Sequence, residues 1–260
     1  MDRGAVMSAH QYPILVLCGD GINCERETAL AFEVAGGSPQ IMHVNDLLAQ
    51  PDRLHDYSGM AFPGGFSFGD DLGAGLVLGL KLRQTMGNHL RRFIADQKPI
   101  IGICNGFQVL SKLGLLPDFS GPRSMALAPN IHGQFIDRWV KMDIHPKSIC
   151  KWTTGLTSIE LPVRHGEGRV VFSSGHAESI YQQLVTNGQV VLQYQEDING
   201  SYKNIAGVCD PTGLVLGLMP HPEAYLFQGT RRTLSAKPAL SAGEGQALFQ
   251  NILNHLRAAA

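Results

Sequence analysis

The chain has 260 residues, of which 44% are hydrophobic and only 17% are charged, against roughly 25% charged residues in an average soluble domain. An apolar fraction of that size can form a large core, which excludes a disordered or fibrous chain. Because 21 Lys and Arg residues balance 22 Asp and Glu residues without a polybasic run, and no apolar stretch approaches the roughly 18 residues of a membrane helix, we expect neither a nucleic-acid nor a membrane partner.

The first half of the chain alternates short apolar runs with helical patterns. The predicted strands span residues 13–18, 40–44, 59–62 and 99–103. The predicted helices span residues 25–35, 76–97 and 107–113. Strands that alternate with helices predict right-handed βαβ units, and strands that are apolar along their whole length predict a parallel sheet covered on both faces.

The second half is richer in strand-like runs. These span residues 135–144, 158–163, 169–172, 189–194, 206–209 and 214–219, with predicted helices over 176–185 and 246–256 and a loop over 229–243. No change in composition marks a linker. We therefore predict a frayed lead-in over residues 1–12 and one α/β domain over residues 13–260, built on a mostly parallel, twisted sheet flanked by helices, with additional antiparallel strands.

The five cysteines are an odd number, lie far apart and include no Cys-x-x-Cys pair. This spacing fits neither a disulfide framework nor a structural zinc site. Free thiols are typical of a reducing compartment, so we predict a cytoplasmic protein.

One of these cysteines lies in a motif that suits a nucleophile. Gly102-Ile103-Cys104-Asn105-Gly106 follows a predicted strand and precedes a helix, which is the arrangement of a nucleophile elbow with Cys104 in the reactive position. The sharp turn strains the central residue and leaves no space for side chains at the flanking glycines. A cysteine beside a tight turn is more often structural, but strand, turn and helix together favour a nucleophile at the carboxyl edge of the sheet.

The segment Met219-Pro220-His221-Pro222-Glu223 follows the last predicted strand. A nucleophilic thiol needs a base, and the base needs a carboxylate to orient it. We predict His221 as the base and Glu223 as its orienting carboxylate, on an extended chain that points both side chains the same way. A metal bound by these two side chains is the alternative, and it lacks further ligands at suitable spacing.

A glycine-rich loop over residues 63–71 follows the third predicted strand. Its Pro-Gly-Gly sequence exposes backbone N–H groups. We predict that the amide of Gly65 and the amide of Asn105, the residue after Cys104, form an oxyanion hole. Without Cys104, a simple turn would be the preferred interpretation.

The elbow, continued by Phe107-Gln108, and the Met-Pro-His-Pro-Glu segment resemble those of class I (triad) glutamine amidotransferases, which have a flavodoxin-like α/β fold. Three further stretches narrow the resemblance. Residues 63–70, His165-Gly166-Glu167-Gly168-Arg169 and residues 200–208 are similar to the glutaminase subunits of phosphoribosylformylglycinamidine synthase, an enzyme of purine biosynthesis. The likeness covers about residues 13–227.

The resemblance implies a reaction on L-glutamine. Cys104 would attack the side-chain amide to give a glutamyl thioester and ammonia, and His221 would act first as base and then as acid. Gln108 and the backbone of Gly64 and Gly65 would hold the substrate.

The resemblance also implies partners. Ammonia would pass to a large synthetase subunit, which uses ATP and Mg²⁺ to convert formylglycinamide ribonucleotide into formylglycinamidine ribonucleotide, and a small subunit would bridge the two. This chain has no P-loop of its own, so we expect it to bind no cofactor and no metal.

Two positions depart from the family pattern, and three other residues have more than one interpretation. Gly73 and Ala224 stand where the family usually has arginine, so the contacts of these loops with a partner are expected to differ. His165, Glu167 and Arg169 are candidates for supporting the site or an interface, and a second acid–base pair is the less favoured interpretation. A stand-alone cysteine hydrolase of related α/β fold and an interaction subunit with reduced catalysis are the alternative functions.

Overall fold

A computed structural model describes residues 12–119, 123–231 and 241–259. Its strands are β1 (Pro13–Cys18), β2 (Ser38–His43), β3 (Gly59–Phe62), β4 (Ile100–Ile103), β5 (Met125–Pro129), β6 (Ile136–Ile144), β7 (Ser158–His165), β8 (Glu167–Phe172), β9 (Val190–Tyr194), β10 (Ile205–Cys209) and β11 (Val215–Leu218). Its helices are α1 (Glu25–Val34), α2 (Val44–Ala49), α3 (Leu76–Ala95), α4 (Asn105–Leu113), α5 (Ala177–Thr186) and α6 (Gln246–Ala259). The predicted lead-in lies outside the described residues except for Tyr12, so that boundary and the single domain over 13–260 stay predictions.

Nine strands form one sheet in the order β2–β1–β3–β4–β11–β10–β9–β6–β7. The first five of these are parallel, and from β11 onward each neighbouring pair is antiparallel. Strands β5 and β8 pair separately as an antiparallel ribbon. The predicted fold class, a mostly parallel sheet with additional antiparallel strands, is confirmed.

Helices cover the parallel part of the sheet. Strands β3, β4 and β11 are buried at every residue, as expected for strands covered on both faces. Right-handed crossovers from β1 to β2 and from β3 to β4 run in opposite directions across the sheet, so α1 and α3 lie on opposite faces. α6 packs on α1 through Phe32 and Phe249, whose ring centroids are 5.0 Å apart, and α4 packs on α3. The carboxyl edge of the sheet is the place where such a doubly wound fold positions a site.

β4 and β11 lie side by side in the middle of the sheet. Gly102 pairs with Gly217, and the Cys104 amide donates a 2.8 Å hydrogen bond to the Leu218 carbonyl. The loops that follow these two strands carry Cys104 and His221. Both loops therefore leave the sheet at one point on its carboxyl edge.

The structure differs from the predicted elements in a few places. Val44, predicted as the end of the second strand, instead begins α2, because the His43 side chain accepts a 3.1 Å hydrogen bond from the Asn45 amide and caps that helix. The sequence pattern predicts neither α2 nor β5, since both are short and weakly periodic. Most of the loop predicted over 229–243 lies outside the described residues.

None of the helices in the described ranges is long and apolar enough to cross a membrane. All five cysteines are free thiols.

Candidate active site

Cys104 occupies the strained turn between β4 and α4. Its backbone has φ +50° and ψ −104°, a conformation that non-glycine residues rarely adopt. A Cβ added at Gly102 would lie 2.5 Å from a methyl carbon of Leu110, and one at Gly106 would lie 1.9 Å from the carbonyl oxygen of Phe62. The predicted elbow is therefore present, and its two glycines are required by close packing.

We expect Gly106→Ala to lower the free energy of unfolding by about 3 kcal/mol or more, because the added methyl group meets the Phe62 backbone, which a change of rotamer cannot move. Urea unfolding followed by circular dichroism measures this loss. Gly87→Ala in α3 is the matched control: a Cβ there meets nothing within 4 Å, so this variant should gain about 0.5–1 kcal/mol. Equal free energies of unfolding for the two variants would contradict the packing described.

His221 and Glu223 form a buried pair after β11. Nδ1 of His221 lies 2.6 Å from Oε1 of Glu223, and each residue is only 4% exposed. Residues Pro222–Ala224 form a 3-10 turn, so the predicted extended chain is wrong. The turn, begun by Pro222, folds the carboxylate back onto the imidazole. The His221 amide donates a 2.9 Å hydrogen bond to the Pro162 carbonyl, which fixes the segment against β7.

The pKa of His221 results from opposing effects. Burial lowers it, but the Glu223 carboxylate and then the Cys104 thiol raise the pKa of this imidazole well above its usual value. Nδ1 is engaged by Glu223, and Nε2 is buried with no close hydrogen-bond partner among the described residues. The pair is therefore arranged to accept a proton at Nε2 and to stabilise the imidazolium that results.

Two thiols lie beside His221. Cys104 is 6% exposed, and its Sγ lies 3.6 Å from the Arg164 carbonyl oxygen. Cys24, which the sequence analysis does not single out, precedes α1, and its Sγ lies within 4.8 Å of donor atoms of both His221 and Glu223. Burial raises the pKa of the Cys24 thiol, and the neighbouring His221 opposes this rise. The sequence signal that could have identified Cys24 is its position after β1, because the carboxyl end of β1 lies on the same edge of the sheet as the elbow.

Cys24 supplies the third donor that the metal interpretation of His221 and Glu223 lacked. Two ligands of a tetrahedral zinc ion are separated by about 3.3 Å, given metal–ligand distances of about 2.0–2.1 Å. The 2.6 Å between Nδ1 and Oε1 is too short for that arrangement and fits a direct, charge-assisted hydrogen bond. The geometry therefore favours the acid–base pair.

The glycine loop after β3 lies against the loop after β1. The Phe66 amide donates a 2.7 Å hydrogen bond to the Gly21 carbonyl, and the Cys24 amide donates a 3.2 Å bond to the Gly64 carbonyl. Gly65 has φ +147°, and a Cβ there would lie 2.5 Å from the Gly21 carbonyl oxygen, so only glycine fits. The Gly65 N–H takes no part in these loop hydrogen bonds.

A cavity of about 250 Å³ opens at the Cys104 thiol. The predicted site residues on its wall are Gly65, Cys104, Gln108, His165 and Glu167. Phe66 and Phe135, which are 46% and 54% exposed, add an apolar rim to its mouth, with ring centroids 6.5 Å apart. The other predicted site residues do not line it: Gly64, Asn105, Arg169, His221 and Glu223. Three larger cavities, of about 570, 410 and 630 Å³, lie elsewhere, and none of them is lined by Cys104, so the cavity at this thiol is the candidate active site.

Asn105 and Gln108 join three parts of the site. The Asn105 carboxamide accepts a 3.2 Å hydrogen bond from the Ser67 amide and donates a 2.9 Å bond to Oε1 of Gln108. Gln108 donates through Nε2 to the Glu167 carbonyl at 2.5 Å. The first turn of α4 is thus tied to the glycine loop on one side and to the cavity wall on the other. The Asn105 backbone N–H, at the first position of α4, has no acceptor within its helix.

His165 is a neutral imidazole on the cavity wall. Burial lowers its pKa to about 4, and the nearby His221 adds to this effect. Nδ1 donates to Oδ1 of Asn130 at 3.1 Å, so Nε2 is an acceptor, buried and without a partner in the described ranges. Arg169 instead donates from Nε to the Pro129 carbonyl at 3.0 Å, which supports the β5–β8 ribbon.

Comparison with known proteins gives the family and the fold of this chain. The chain matches the family model of the CobB/CobQ-like glutamine amidotransferase domain over residues 11–256. It is 39% identical to the phosphoribosylformylglycinamidine synthase subunit PurQ of Methanococcus maripaludis, over 94% of this chain and 93% of that one. The protein of the same name from Dehalococcoides mccartyi is 38% identical, over 94% and 97%. In the structure of PurLQS from Thermotoga maritima, one chain superposes with a TM-score of 0.74 and 32% identity, over 95% of this chain and 99% of that one.

Proposed function

Because this chain belongs to the CobB/CobQ-like glutamine amidotransferase family, we propose that it is the glutaminase subunit of a phosphoribosylformylglycinamidine synthase in purine biosynthesis. It hydrolyses glutamine to glutamate and ammonia and delivers the ammonia to a synthetase subunit. The observation that carries this proposal is the Cys104 thiol, held on a strained elbow at a cavity and beside the buried His221–Glu223 pair.

The first chemical step forms a thioester. The Cys104 proton passes from Sγ to Nε2 of His221, and Sγ attacks the side-chain carbonyl carbon of glutamine. As the C–S bond forms, the carbonyl electron pair moves to oxygen, where the N–H groups of Gly65 and Asn105 stabilise the negative charge. Glu223 stabilises the imidazolium formed at the same time.

The second step releases ammonia. The electron pair on oxygen re-forms the carbonyl, the C–N bond breaks, and His221 gives its proton to the leaving nitrogen. A water molecule, deprotonated by His221, then attacks the glutamyl thioester, and the C–S bond breaks to regenerate the thiol and release glutamate. One glutamine and one water give one glutamate and one ammonia. The reaction on this chain consumes no nucleotide and needs no metal, so ATP and Mg²⁺ are assigned to the synthetase subunit.

The cavity wall holds the substrate. Gln108 and the backbone of Gly65 on the wall, with that of the preceding residue Gly64, position the glutamine. The bonds from Asn105 and to Glu167 fix Gln108 before substrate binds. Neutral His165 is part of the wall and has an unpaired acceptor nitrogen among the described residues, which suits an N–H donor of the substrate. Glu167 lines the same wall.

Ammonia is used by a large synthetase subunit that acts on formylglycinamide ribonucleotide, and a small third subunit completes the complex. The related Thermotoga maritima chain was solved within PurLQS. Exposed apolar side chains of Phe66, Leu72 and Phe135 on and beside the glycine loop support a docking face at the cavity mouth. Gly73, which follows Leu72 and has φ +115°, occupies the position at which the family usually has arginine.

The five free thiols support a reducing compartment. We place the protein in the cytoplasm on that ground.

Glutaminase activity of the full chain, measured with and without the synthetase and small subunits, tests this function. We expect low activity alone and a rise on the order of 10-fold or more with the partners and their nucleotides, because closure of the mouth excludes water and completes the site. Leu72→Asp should weaken this rise while basal activity stays, since Leu72 is 86% exposed and does not line the cavity. Ile41→Asp on strand β2, at the edge of the sheet, is the control and should leave the rise intact.

Two outcomes would replace the proposal. High turnover of peptides or small aldehydes without any partner would indicate a stand-alone cysteine hydrolase. A complex that makes product from free ammonia but not from glutamine would indicate an interaction subunit with reduced catalysis.

A further inference from the structure

Two histidines and an aspartate that the glutaminase reaction does not use come together on the surface. His55 and Asp52 lie on a 3-10 turn, Pro51–Asp56, and His89 lies on α3. Nε2 of His55 is 3.3 Å from Nδ1 of His89, which is 3.7 Å from Oδ1 of Asp52. All three donor atoms lie within 4.8 Å of one another. His89 is about 20 Å along α3 from the helix end that packs near the elbow.

These distances fit a tetrahedral metal ion. Metal–nitrogen bonds of about 2.0–2.1 Å place two ligand atoms about 3.3 Å apart, which is the separation of the two imidazole nitrogens. The Asp52 side chain is 94% exposed, so it has room to turn toward the third position. Nε2 of His55 is the ring nitrogen that lies beside His89, whereas Nδ1 is buried without a hydrogen-bond partner among the described residues.

The charges around the cluster also permit a cation. Two cations, Arg92 and Lys98, lie near His55, but each has an acceptor of its own. Arg92 lies 3.8 Å from the Asp96 carboxylate, and Lys98 donates a 2.7 Å hydrogen bond to the His55 carbonyl. The Asp52 carboxylate then supplies the charge that faces the ion.

We propose that Asp52, His55 and His89 bind one divalent transition-metal ion of the class of Zn²⁺, Co²⁺ or Ni²⁺, with water as the fourth ligand. Two imidazoles and one carboxylate suit these ions, whereas Mg²⁺ and Ca²⁺ prefer oxygen ligands throughout. The ion joins the 3-10 turn to α3 and acts as a structural link, apart from the glutaminase chemistry.

Zinc binding to the chelator-treated full chain tests the site. The double variant His55→Gln/His89→Gln should bind one Zn²⁺ fewer per chain by equilibrium dialysis, and each single variant should lose at least about 10- to 100-fold in affinity by calorimetry. Co²⁺ should give the visible absorption of a tetrahedral site in the wild type and not in the double variant. Zn²⁺ should raise the Tm of the wild type only, whereas the two metal-free proteins should melt alike.

Two controls separate this site from other zinc ligands. His176→Gln removes an exposed imidazole elsewhere, and Cys24→Ser removes the thiol beside His221. Both should keep the ion that the double variant loses. Equal zinc stoichiometry and affinity in the wild type and the double variant, or no zinc binding by the wild type, would overturn the proposal.

Discussion

Cys104→Ala should lower kcat/KM for glutamine hydrolysis by at least about 10⁴-fold, because loss of the nucleophile removes the thioester route altogether. Glutamate release by the full chain in the presence of its partner subunits measures the loss. The same complex, supplied with ammonium chloride in place of glutamine, should still make formylglycinamidine ribonucleotide. That second readout distinguishes a missing nucleophile from a chain that no longer folds or docks.

Cys24→Ala is the matched control for this experiment. It also removes a thiol beside His221, but Cys24 does not line the cavity, so most of the activity should remain. A glutamine-analogue electrophile should modify Cys104 ahead of the other four thiols, and glutamine should protect it. Preferential modification of Cys24, or glutamate release by Cys104→Ala at the wild-type rate, would reject Cys104 as the nucleophile.

Glu223→Gln should reduce kcat by roughly 10²- to 10⁴-fold, since a neutral amide cannot stabilise the His221 imidazolium and can favour the wrong tautomer. KM for glutamine should change little, because Glu223 does not line the cavity. Glu223→Asp keeps the charge and should recover part of the rate. A change confined to KM would contradict the orienting role.

The same pair makes stability depend on pH. Burial alone would lower the pKa of His221, and Glu223 raises it well above its usual value. A raised folded-state pKa stabilises the protein fully below the unfolded value of about 6.5, and this contribution is lost as the pH rises through the folded-state pKa. The difference in free energy of unfolding between wild type and Glu223→Gln should therefore be largest below about pH 6.5 and shrink at alkaline pH. Urea unfolding across this range measures it, and a difference independent of pH would contradict the coupling.

The parts of the site that could be predicted are those in which the backbone demands particular residue types. A strand, two glycines and a helix specify an elbow whatever surrounds it, so Cys104 could be identified from five consecutive residues. Gly65 and His221 follow buried strands, and parallel strands bring such loops to one edge.

The parts that could not be predicted depend on contacts between distant segments. Cys24 meets His221 only because the loops after β1 and β11 converge in the folded chain. His165 becomes neutral only because the folded chain buries it, and its Nδ1 is held by Asn130 from a distant segment. The 3-10 turn that joins His221 to Glu223 could not be predicted, because the two prolines that flank His221 are equally compatible with an extended chain.

The central strands of the sheet fix the spacing between the nucleophile Cys104 and the base His221. Cys104 and His221 follow neighbouring strands whose register is locked by backbone hydrogen bonds, including the one from the Cys104 amide to the Leu218 carbonyl. Ladders at the centre of a buried sheet open only with global unfolding, so subunit association can neither assemble nor dismantle this pair. A partner subunit can change only the parts of the site outside the hydrogen bonds between β4 and β11. These parts are the glycine loop with Gly65 and the cavity wall at residues 165–167. The intrinsic reactivity of the thiol is therefore a property of the fold, and its access to glutamine is a property of the complex.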